Sequence, residues 1–234
     1  MYLPEHFEDR DAAAIAALIA EFPLACVVAQ TPQGLLANHI PLLVGRAAGR
    51  SGDPGGGSGG SLIGSEMIGH VALANDMHRV LTDGQEVLAV FRGEEAYVSP
   101  NWYPSKAQHH RHVPTWNYRV VHVHGTIRFD RTEAAARAAA GLLTRAMERR
   151  VNGPAAWRMA EAPADWMAGM VRSIVALRIR IARIEAKAKL GQNRTDTDRS
   201  GAADGLRAAG QSAMAARMDA AGPGDPPPPA PKQR

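Results

Sequence analysis

The stretch that decides the fold is residues 24–44, which read LACVVAQTPQGLLANHIPLLV. Leu24–Gln30 and Leu35–Val44 are two apolar runs of strand length. The letters TPQG between them have turn chemistry, because proline fixes φ at the second turn position and glycine closes the turn. The two runs therefore predict a β-hairpin.

More strands of the same kind are predicted along the chain. Leu62–Gly64 is expected to resume the sheet. Glu86–Phe91 and Ala96–Ser99 are expected to pair through a hairpin at Arg92-Gly93-Glu94. Asn117–Phe129 alternates apolar and polar residues, as a half-buried strand does. A further strand with the same alternation is predicted at 175–182.

Helices are expected mainly around these strands. The periodicity predicts them at 9–22, 71–80, 132–150, 163–170 and 198–218. Since the early connections are too short for crossover helices, an open parallel sheet fits poorly. The order of elements predicts a β-rich α+β fold of barrel type with peripheral helices.

Composition sets the expected domain boundaries. Residues 1–208 are expected to form one domain, in which the Gly- and Ser-rich segment Gly45–Ser61 is a flexible loop. Residues 209–234 are rich in Ala and Pro, and four prolines follow one another at 226–229. This segment is expected to be a disordered tail.

Charge and cysteine content exclude several classes of protein. The 234 residues carry a net charge of +4 and one cysteine, Cys26, so a disulfide framework and a cysteine-only zinc site are excluded. No apolar stretch approaches the roughly 20 residues that span a bilayer. The first residues lack the basic and apolar regions of a secretory signal, so a soluble cytoplasmic protein without a membrane partner is expected.

Motifs of common catalytic sites are missing. The sequence has no phosphate-binding loop, no dinucleotide-binding glycine fingerprint and no nucleophile elbow. His109, His110 and His112 share one loop, where solvated side chains are favoured over a metal site. His122 and His124 share a strand face, where a structural role is favoured. We therefore predict no catalytic residue and no metal site.

A basic segment occupies residues 173–194. It contains six Lys or Arg residues and one acidic residue. A basic strand and loop can bind a phosphate-bearing ligand or a nucleic-acid backbone. The alternative is a solvated strand face whose charge is balanced by acids elsewhere. No helix-turn-helix pattern is found.

Five motifs in a fixed order make the chain recognisable. They read ANHIPLL at 37–43, GHVALAN at 69–75, SPNWYPSK at 99–106, VPTWNY at 113–118 and KAKLGQNR at 187–194. Together with the opening MYLP, they resemble the PaiB-like family, the FMN-binding negative transcriptional regulators of bacteria. The resemblance covers roughly residues 1–208. One position departs from it, because Gly191 stands where the family usually has serine.

This resemblance implies a flavin-binding split β-barrel of the pyridoxamine-phosphate-oxidase-like type. It also implies FMN as the cofactor and a homodimer with ligand sites at the subunit interface. The matching motifs supply thirteen candidate cofactor-binding residues: Asn38, His39, His70, Asn75, Trp102, Tyr103, Ser105, Lys106, Thr115, Trp116, Asn117, Gln192 and Asn193.

The chemistry of FMN suggests roles for these residues. The phosphate needs cations or oriented donors, which Lys106, Ser105, His70 and Asn75 can provide. The ring needs flat apolar faces, which the candidate aromatic residues can provide. The polar edge of the ring needs hydrogen-bond donors and acceptors, which the side-chain amides of Asn38, Asn117, Gln192 and Asn193 can provide.

Three functions remain open from the sequence. The first is an FMN-binding transcriptional regulator, for which DNA is a possible partner and Arg178–Arg194 the best contact element. The second is a flavin-dependent oxidoreductase, in which the cofactor performs the redox step and no catalytic side chain is needed. The third is a haem-binding protein of the same barrel type, suggested by the nine histidines.

Overall fold

The computed structural model describes residues 1–45 and 62–222. The loop expected at Gly45–Ser61 lies outside the described residues except for Gly45, and so does the tail beyond residue 222.

Seven strands form one sheet in the order β2-β1-β5-β6-β7-β4-β3. The strands are β1 Leu24–Thr31, β2 Gly34–Pro41, β3 Leu43–Val44, β4 Glu66–Ala72, β5 Glu86–Val98, β6 Thr115–Asp130 and β7 Ile174–Lys189. β1 runs antiparallel to β2 and β5, and β4 runs antiparallel to β3 and β7. The predicted hairpin is confirmed, with a register from Leu24 opposite Pro41 to Thr31 opposite Gly34.

The strand expected at Leu62–Gly64 is wrong, because β4 begins only at Glu66. Residues 62–65 form a turn in which the Ser65 amide donates to the Leu62 carbonyl at 3.1 Å. Gly64 has φ +85°, a backbone conformation that a strand does not use. Likewise, β4 extends to Ala72, so the helix expected at 71–80 is confined to its last four residues.

The hairpin expected at Arg92-Gly93-Glu94 is also wrong, because β5 runs without reversal from Glu86 to Val98. Phe91 is buried, and the next buried residue along the strand is Ala96. The alternation of buried side chains therefore changes phase in between while the chain direction is kept. In the sequence, such a break in the alternation has the same pattern as a turn between two strands.

Seven α-helices occur in the described residues, besides four short 3₁₀ helices: α1 Ala12–Glu21, α2 Met77–Val80, α3 Lys106–His109, α4 Glu133–Asn152, α5 Ala164–Arg172, α6 Asp196–Ala208 and α7 Ser212–Ala220. α1 ends before Pro23, as predicted. The side-chain oxygens of Asp11 and Thr132 cap α1 and α4. The single helix expected at 198–218 is two helices, because the chain turns at Gly210, whose φ is +77°.

Contacts group the chain into two units. Unit 1 comprises Met1–Arg10, Arg92–Val120 and Glu185–Arg234, and unit 2 comprises Asp11–Phe91 and Val121–Ile184. In unit 2 the buried faces of the strands are almost wholly apolar, including Met67, Phe91 and Leu177.

In unit 1 the core is built by the last two helices. Leu206 of α6 and Met214 and Met218 of α7 are buried in one cluster with Tyr103 and Leu190. Residues 212–220 of the expected disordered tail are therefore an ordered helix. The Ala-rich composition misled the prediction, because small side chains allow close packing of α6 and α7 as well as disorder.

Candidate functional site

In unit 1, the candidate residues at 99–106 pack against α6. A Cβ atom added to Gly205 would lie 2.2 Å from the Trp102 ring, and one added to Gly201 would lie 2.5 Å from the Trp102 carbonyl oxygen. The two glycines therefore let α6 approach closer than any larger residue would allow. Trp102 serves here as the surface on which α6 packs, and Tyr103 is buried in the same cluster.

A chain of hydrogen bonds holds this loop to α6. The Ser105 hydroxyl donates to Asp198 Oδ2 at 2.7 Å, and the Ser105 backbone amide donates to Asp198 Oδ1 at 3.0 Å. The Ser105 oxygen lies 2.7 Å from His112 Nε2. On the other side of the imidazole, Arg194 Nη1 lies 3.3 Å from His112 Nδ1.

The hydrogen-bond partners determine which atoms of Ser105 and His112 carry a proton. Since the Ser105 proton points to Asp198, His112 Nε2 must be the donor to Ser105, and Nδ1 then accepts from Arg194. Burial lowers the pKa of His112, and the charges of Arg194 and His109 lower it further. The carboxylate of Asp198 raises it, but the overall shift is downward. A neutral imidazole that donates to serine cannot take its proton, so the arrangement does not activate Ser105 as a nucleophile.

A positively charged cluster lies at the end of β7 in unit 1. Lys189 is half-buried, and its ammonium donates to the Thr115 hydroxyl. Burial lowers the pKa of Lys189, and the charges of Lys187 and Arg194 add to this effect. An anion bound beside Lys189 would relieve this repulsion. Lys189 lies in the basic segment and in the last motif, but it is not among the cofactor residues predicted from the sequence.

Lys187, two residues earlier, is enclosed. It is 7% exposed and donates to the Tyr2 carbonyl at 3.1 Å. Its ammonium lies 5.3–5.8 Å from the ring centroids of Tyr2, Phe7 and Tyr118. These cation–π contacts fix the first residues of the chain on β7.

Asn117 lies at the start of β6 and is 2% exposed. Its Nδ2 lies 3.3 Å from the Met218 sulfur. A Cβ on Gly191 would lie 3.9 Å from the same nitrogen. Gly191 has φ +84°, so the turn itself favours glycine at the position where the family usually has serine. The Gln192 side chain closes this turn, with bonds of 2.7 Å and 2.6 Å to Leu190 N and the Ala188 carbonyl.

The other candidates in unit 1 are more accessible. Trp116 is 55% exposed, and its ring meets that of Tyr97 edge to face at 6.2 Å. Lys106 donates to the Asn101 side chain, and Asn193 is half-buried. The exposed rings of Trp116 and Tyr97 offer a flat apolar surface of the kind that a planar ring can contact, on the face of β6 opposite to the buried Asn117 side chain.

The candidates in unit 2 include a pair of asparagines. Asn75 Nδ2 donates to Asn38 Oδ1 at 2.8 Å, and Asn75 Oδ1 accepts from the Met77 amide at 2.9 Å at the start of α2. His70 is half-buried on β4, and burial lowers the pKa of its imidazole. His39 on β2 is exposed.

Unpaired buried atoms test whether these residues fit a polar ligand. In residues 1–45 and 62–222, four buried side-chain polar atoms have no hydrogen-bond partner: Asn38 Nδ2, His70 Nδ1, His78 Nδ1 and Asn117 Oδ1. Three of these atoms belong to candidate cofactor residues. Since leaving such atoms unpaired costs roughly 1–3 kcal/mol each, their concentration at the motifs fits residues awaiting a polar ligand.

The basic segment does not form one continuous surface. Arg178, Arg180 and Arg183 are exposed, whereas Lys187 is buried and Lys189 and Arg194 are half-buried. In unit 2, Arg178 and Arg180 on β7 line a cleft of about 80 Å³ with Arg128, Thr126 and Glu66. Arg178 pairs with Glu66 at 3.0 Å.

No helix in the described ranges has both the length and the apolar character needed to cross a membrane.

Comparisons with known proteins agree with the motifs. Residues 1–183 match the family described as "Putative FMN-binding domain". The chain is 27% identical over 198 residues to "Protease synthase and sporulation protein PAI 2" of Bacillus subtilis (strain 168), covering 85% of each chain. It is 24% identical over 244 residues to an uncharacterized protein of Emericella nidulans, covering 91% of this chain and 93% of that protein.

Solved structures support the fold. The FAD- and haem-binding protein of Mycobacterium smegmatis matches with a TM-score of 0.50 at 19% identity, over 85% of this chain and 80% of that one. The flavocytochrome Anf3 of Azotobacter vinelandii matches with a TM-score of 0.50 at 14% identity, over 79% and 70%. The predicted β-rich α+β split-barrel fold is confirmed.

The family match extends over most of the chain, and the relative from Bacillus subtilis confirms the resemblance stated from the motifs. FMN is the cofactor that the family match supports. The chain belongs to the FMN-binding family whose model matches residues 1–183.

Proposed function

We propose that the protein holds FMN through residues of its sequence motifs and works as a transcriptional regulator. The observation that carries the first part is the set of unpaired buried atoms on Asn38, His70 and Asn117. An amide donor, an imidazole nitrogen and an amide acceptor match the carbonyl, ring-nitrogen and N–H groups that a flavin offers.

The phosphate of FMN needs positive charge. Lys189 is the cation best suited to this role, because it is half-buried, contacts a hydroxyl rather than a carboxylate, and is repelled by Lys187 and Arg194. Lys106 is the second candidate cation. Ser105 is left out of the proposed set, since Asp198 and His112 already engage its hydroxyl.

Titration of the cofactor-free protein with FMN, followed by flavin fluorescence, tests this proposal. Asn117→Leu, Lys189→Met and Lys106→Ala are each compared with Arg172→Ala, an exposed arginine at the end of α5. Loss of one charge-assisted hydrogen bond is worth about 1.5–3 kcal/mol, so each lysine variant is expected to bind at least about tenfold more weakly. Affinities equal to that of Arg172→Ala would remove the residue from the site.

The regulatory part rests on a separate observation, the cleft that brings Arg128, Arg178 and Arg180 together at the surface of unit 2. Three arginines face one acidic residue there, Glu66, so the cleft has an excess of positive charge suited to a DNA backbone. The name of the Bacillus subtilis relative, which refers to protease synthesis and sporulation, is consistent with a regulatory role.

Fluorescence anisotropy with duplexes selected from genomic fragments tests DNA binding. Replacing Arg128, Arg178 and Arg180 by alanine is expected to weaken binding. The slope of the logarithm of the binding constant against the logarithm of the salt concentration is expected to become shallower by about 0.9 for each lost phosphate contact. The matched control replaces Arg79, Arg137 and Arg172, which removes the same charge elsewhere. Equal slopes for both triple variants, or oxidation of NADH by a bound flavin without DNA binding, would favour the oxidoreductase instead.

We also infer that the regulator works as a cytoplasmic homodimer, as the family resemblance implies. Light scattering coupled to gel filtration measures the mass directly. A mass of one chain at the concentrations used for FMN titration would contradict the dimer.

A further inference from the structure

A pocket of about 420 Å³ lies in unit 2, and none of the candidate cofactor residues lines it. α4 provides one wall with Gly141, Arg145 and Arg149, and the following turn provides the other with Trp157 and Arg158. This volume falls in the range of about 300–1,000 Å³ that small-molecule sites occupy.

The charged side chains that line the pocket are all positive. Three of its lining residues are arginines, and no acidic residue of the described chain lines it. Arg145 and Arg149 are four residues apart on one helix face, where like charges repel. Arg158 has a distant partner, Glu161, with 3.9 Å between Nε and Oε1. An anion in the pocket would relieve the repulsion between Arg145 and Arg149.

The opposite wall supplies an aromatic surface that is held in place. Glu148 Oε2 accepts from the Trp157 amide at 3.0 Å and from Asn152 Nδ2 at 2.7 Å. These bonds lower the pKa of Glu148, the Asn152 bond having the larger effect, so the carboxylate remains charged and keeps the turn on α4. Trp157 is 39% exposed and lines the pocket together with Met159.

We propose that this pocket binds an aromatic anion, a flat ring that carries a carboxylate or a phosphate. The arginines hold the charged group, and Trp157 and Met159 contact the ring. Gly141 lines the pocket floor, and a Cβ there would meet the Met159 sulfur at an ordinary contact distance of 3.6 Å, so only a side chain larger than alanine would fill the floor. The pocket shares no residue with the proposed FMN site, so the inference does not rest on the proposed function.

Nuclear magnetic resonance of the full chain, loaded with one equivalent of FMN and freed of excess FMN, tests the proposal, because FMN is itself a ring with a phosphate and an excess would compete for the pocket. The four tryptophans give four indole N–H signals, and Trp157→Phe identifies the one from Trp157. Salicylate and adenosine monophosphate are titrated separately as carboxylate and phosphate probes. Inorganic phosphate and benzyl alcohol supply the charge and the ring alone. A saturable shift of the Trp157 signal is expected with at least one complete probe, at lower concentration than with either part.

Variants separate the pocket from other sites. Arg145→Ala and Arg149→Ala are each expected to weaken binding about tenfold, because each removes a charge-assisted hydrogen bond. Gly141→Leu is expected to abolish binding by filling the floor while keeping every charge. Arg137→Ala, on the same helix but paired with Glu133, is the control.

Circular dichroism checks that each variant is folded. No saturable Trp157 shift with either complete probe would overturn the proposal. So would affinities in the Arg145→Ala and Gly141→Leu variants that equal the affinity of Arg137→Ala.

Discussion

The interiors of the two units are stabilised by different chemistry. Six polar or charged residues are buried in the described chain, and the four in unit 1 are Asn117, Arg119, Lys187 and Asp198. Unit 2 buries Ser65 and His78, neither of them a carboxylate, lysine or arginine, among strand faces rich in Val, Ile, Leu and Phe. Unit 2 is therefore stabilised mainly by apolar burial, and unit 1 depends more on ion pairs, hydrogen bonds and close helix packing.

The ion pairs of unit 1 give the first way to test this difference. Glu94 Oε2 lies 3.1 Å from Arg119 Nη1, and Glu94 also accepts from Arg217. The side chains of Glu94 and Arg119 are 9% and 8% exposed. Glu94→Gln leaves a buried arginine without its countercharge, so a loss of about 3–5 kcal/mol in the free energy of unfolding is expected.

Urea unfolding measures this loss. The control is Glu133→Gln, which breaks an exposed pair with Arg137 on α4 and is expected to cost about 0.5 kcal/mol or less. A similar shift for the two variants would contradict the importance of buried charge in unit 1.

Close packing of α6 gives the second test. Gly205→Ala places a Cβ 2.2 Å from the Trp102 ring, so α6 must move or Trp102 must leave its position. Such overpacking is expected to cost about 1–3 kcal/mol. Thermal unfolding and the Trp102 fluorescence contribution report the change.

The matched control for this variant is Gly169→Ala in α5 of unit 2. A Cβ on Gly169 meets no heavy atom within 4 Å. Alanine there is expected to stabilise the helix by about 0.5–1 kcal/mol. An equal destabilisation by both substitutions would show that the contact with Trp102 does not explain the loss at Gly205.

Acid pH gives the third and smallest effect. Burial alone would raise the pKa of Glu94, but the hydrogen bond from Arg217 and the nearby arginine charges lower it overall. At Asp198, burial likewise raises the pKa and the hydrogen bonds from Ser105 lower it, and the overall shift is downward. A carboxyl with a lowered folded-state pKa stabilises the fold above its unfolded pKa, and this contribution is lost as the pH falls through the folded-state value.

Hydrogen exchange measured from neutral pH to below about pH 4 checks this prediction. Protection factors in α6 and α7 of unit 1 are expected to fall at acid pH more than those in the β1–β2 hairpin of unit 2. An equal fall in both would mean that the two units unfold together and would remove the distinction for acid stability.

The comparison also explains how much the sequence could predict. The β1–β2 hairpin and the alternation in β6 were predictable, because both depend on neighbouring residues in the chain: a turn at 31–34 and buried Val121, Val123 and Ile127. The motifs were sufficient for the family, the fold and FMN. These features depend on local pattern or on a shared order of residues.

Other features could not be predicted because they join distant residues. The bond between Ser105 and Asp198 spans 93 positions, and the bond between Glu94 and Arg217 spans 123. The role of Gly201 and Gly205 becomes visible only when Trp102 is placed against them. The change of phase in β5 cannot be told from a turn in the sequence, since a sequence shows the break in alternation but not the chain direction.

The enclosure of Lys187 also has a consequence for the chemical reactivity of the protein. The chain has four lysines, and the structure describes three of them. Lys187 is 7% exposed among aromatic rings, and the bond from Lys189 to Thr115 is partly buried, whereas the bond from Lys106 to Asn101 is exposed. Of these three, Lys106 therefore presents the amine most open to acylating reagents. A dye attached there by amine chemistry would report on the 99–114 loop without a new cysteine.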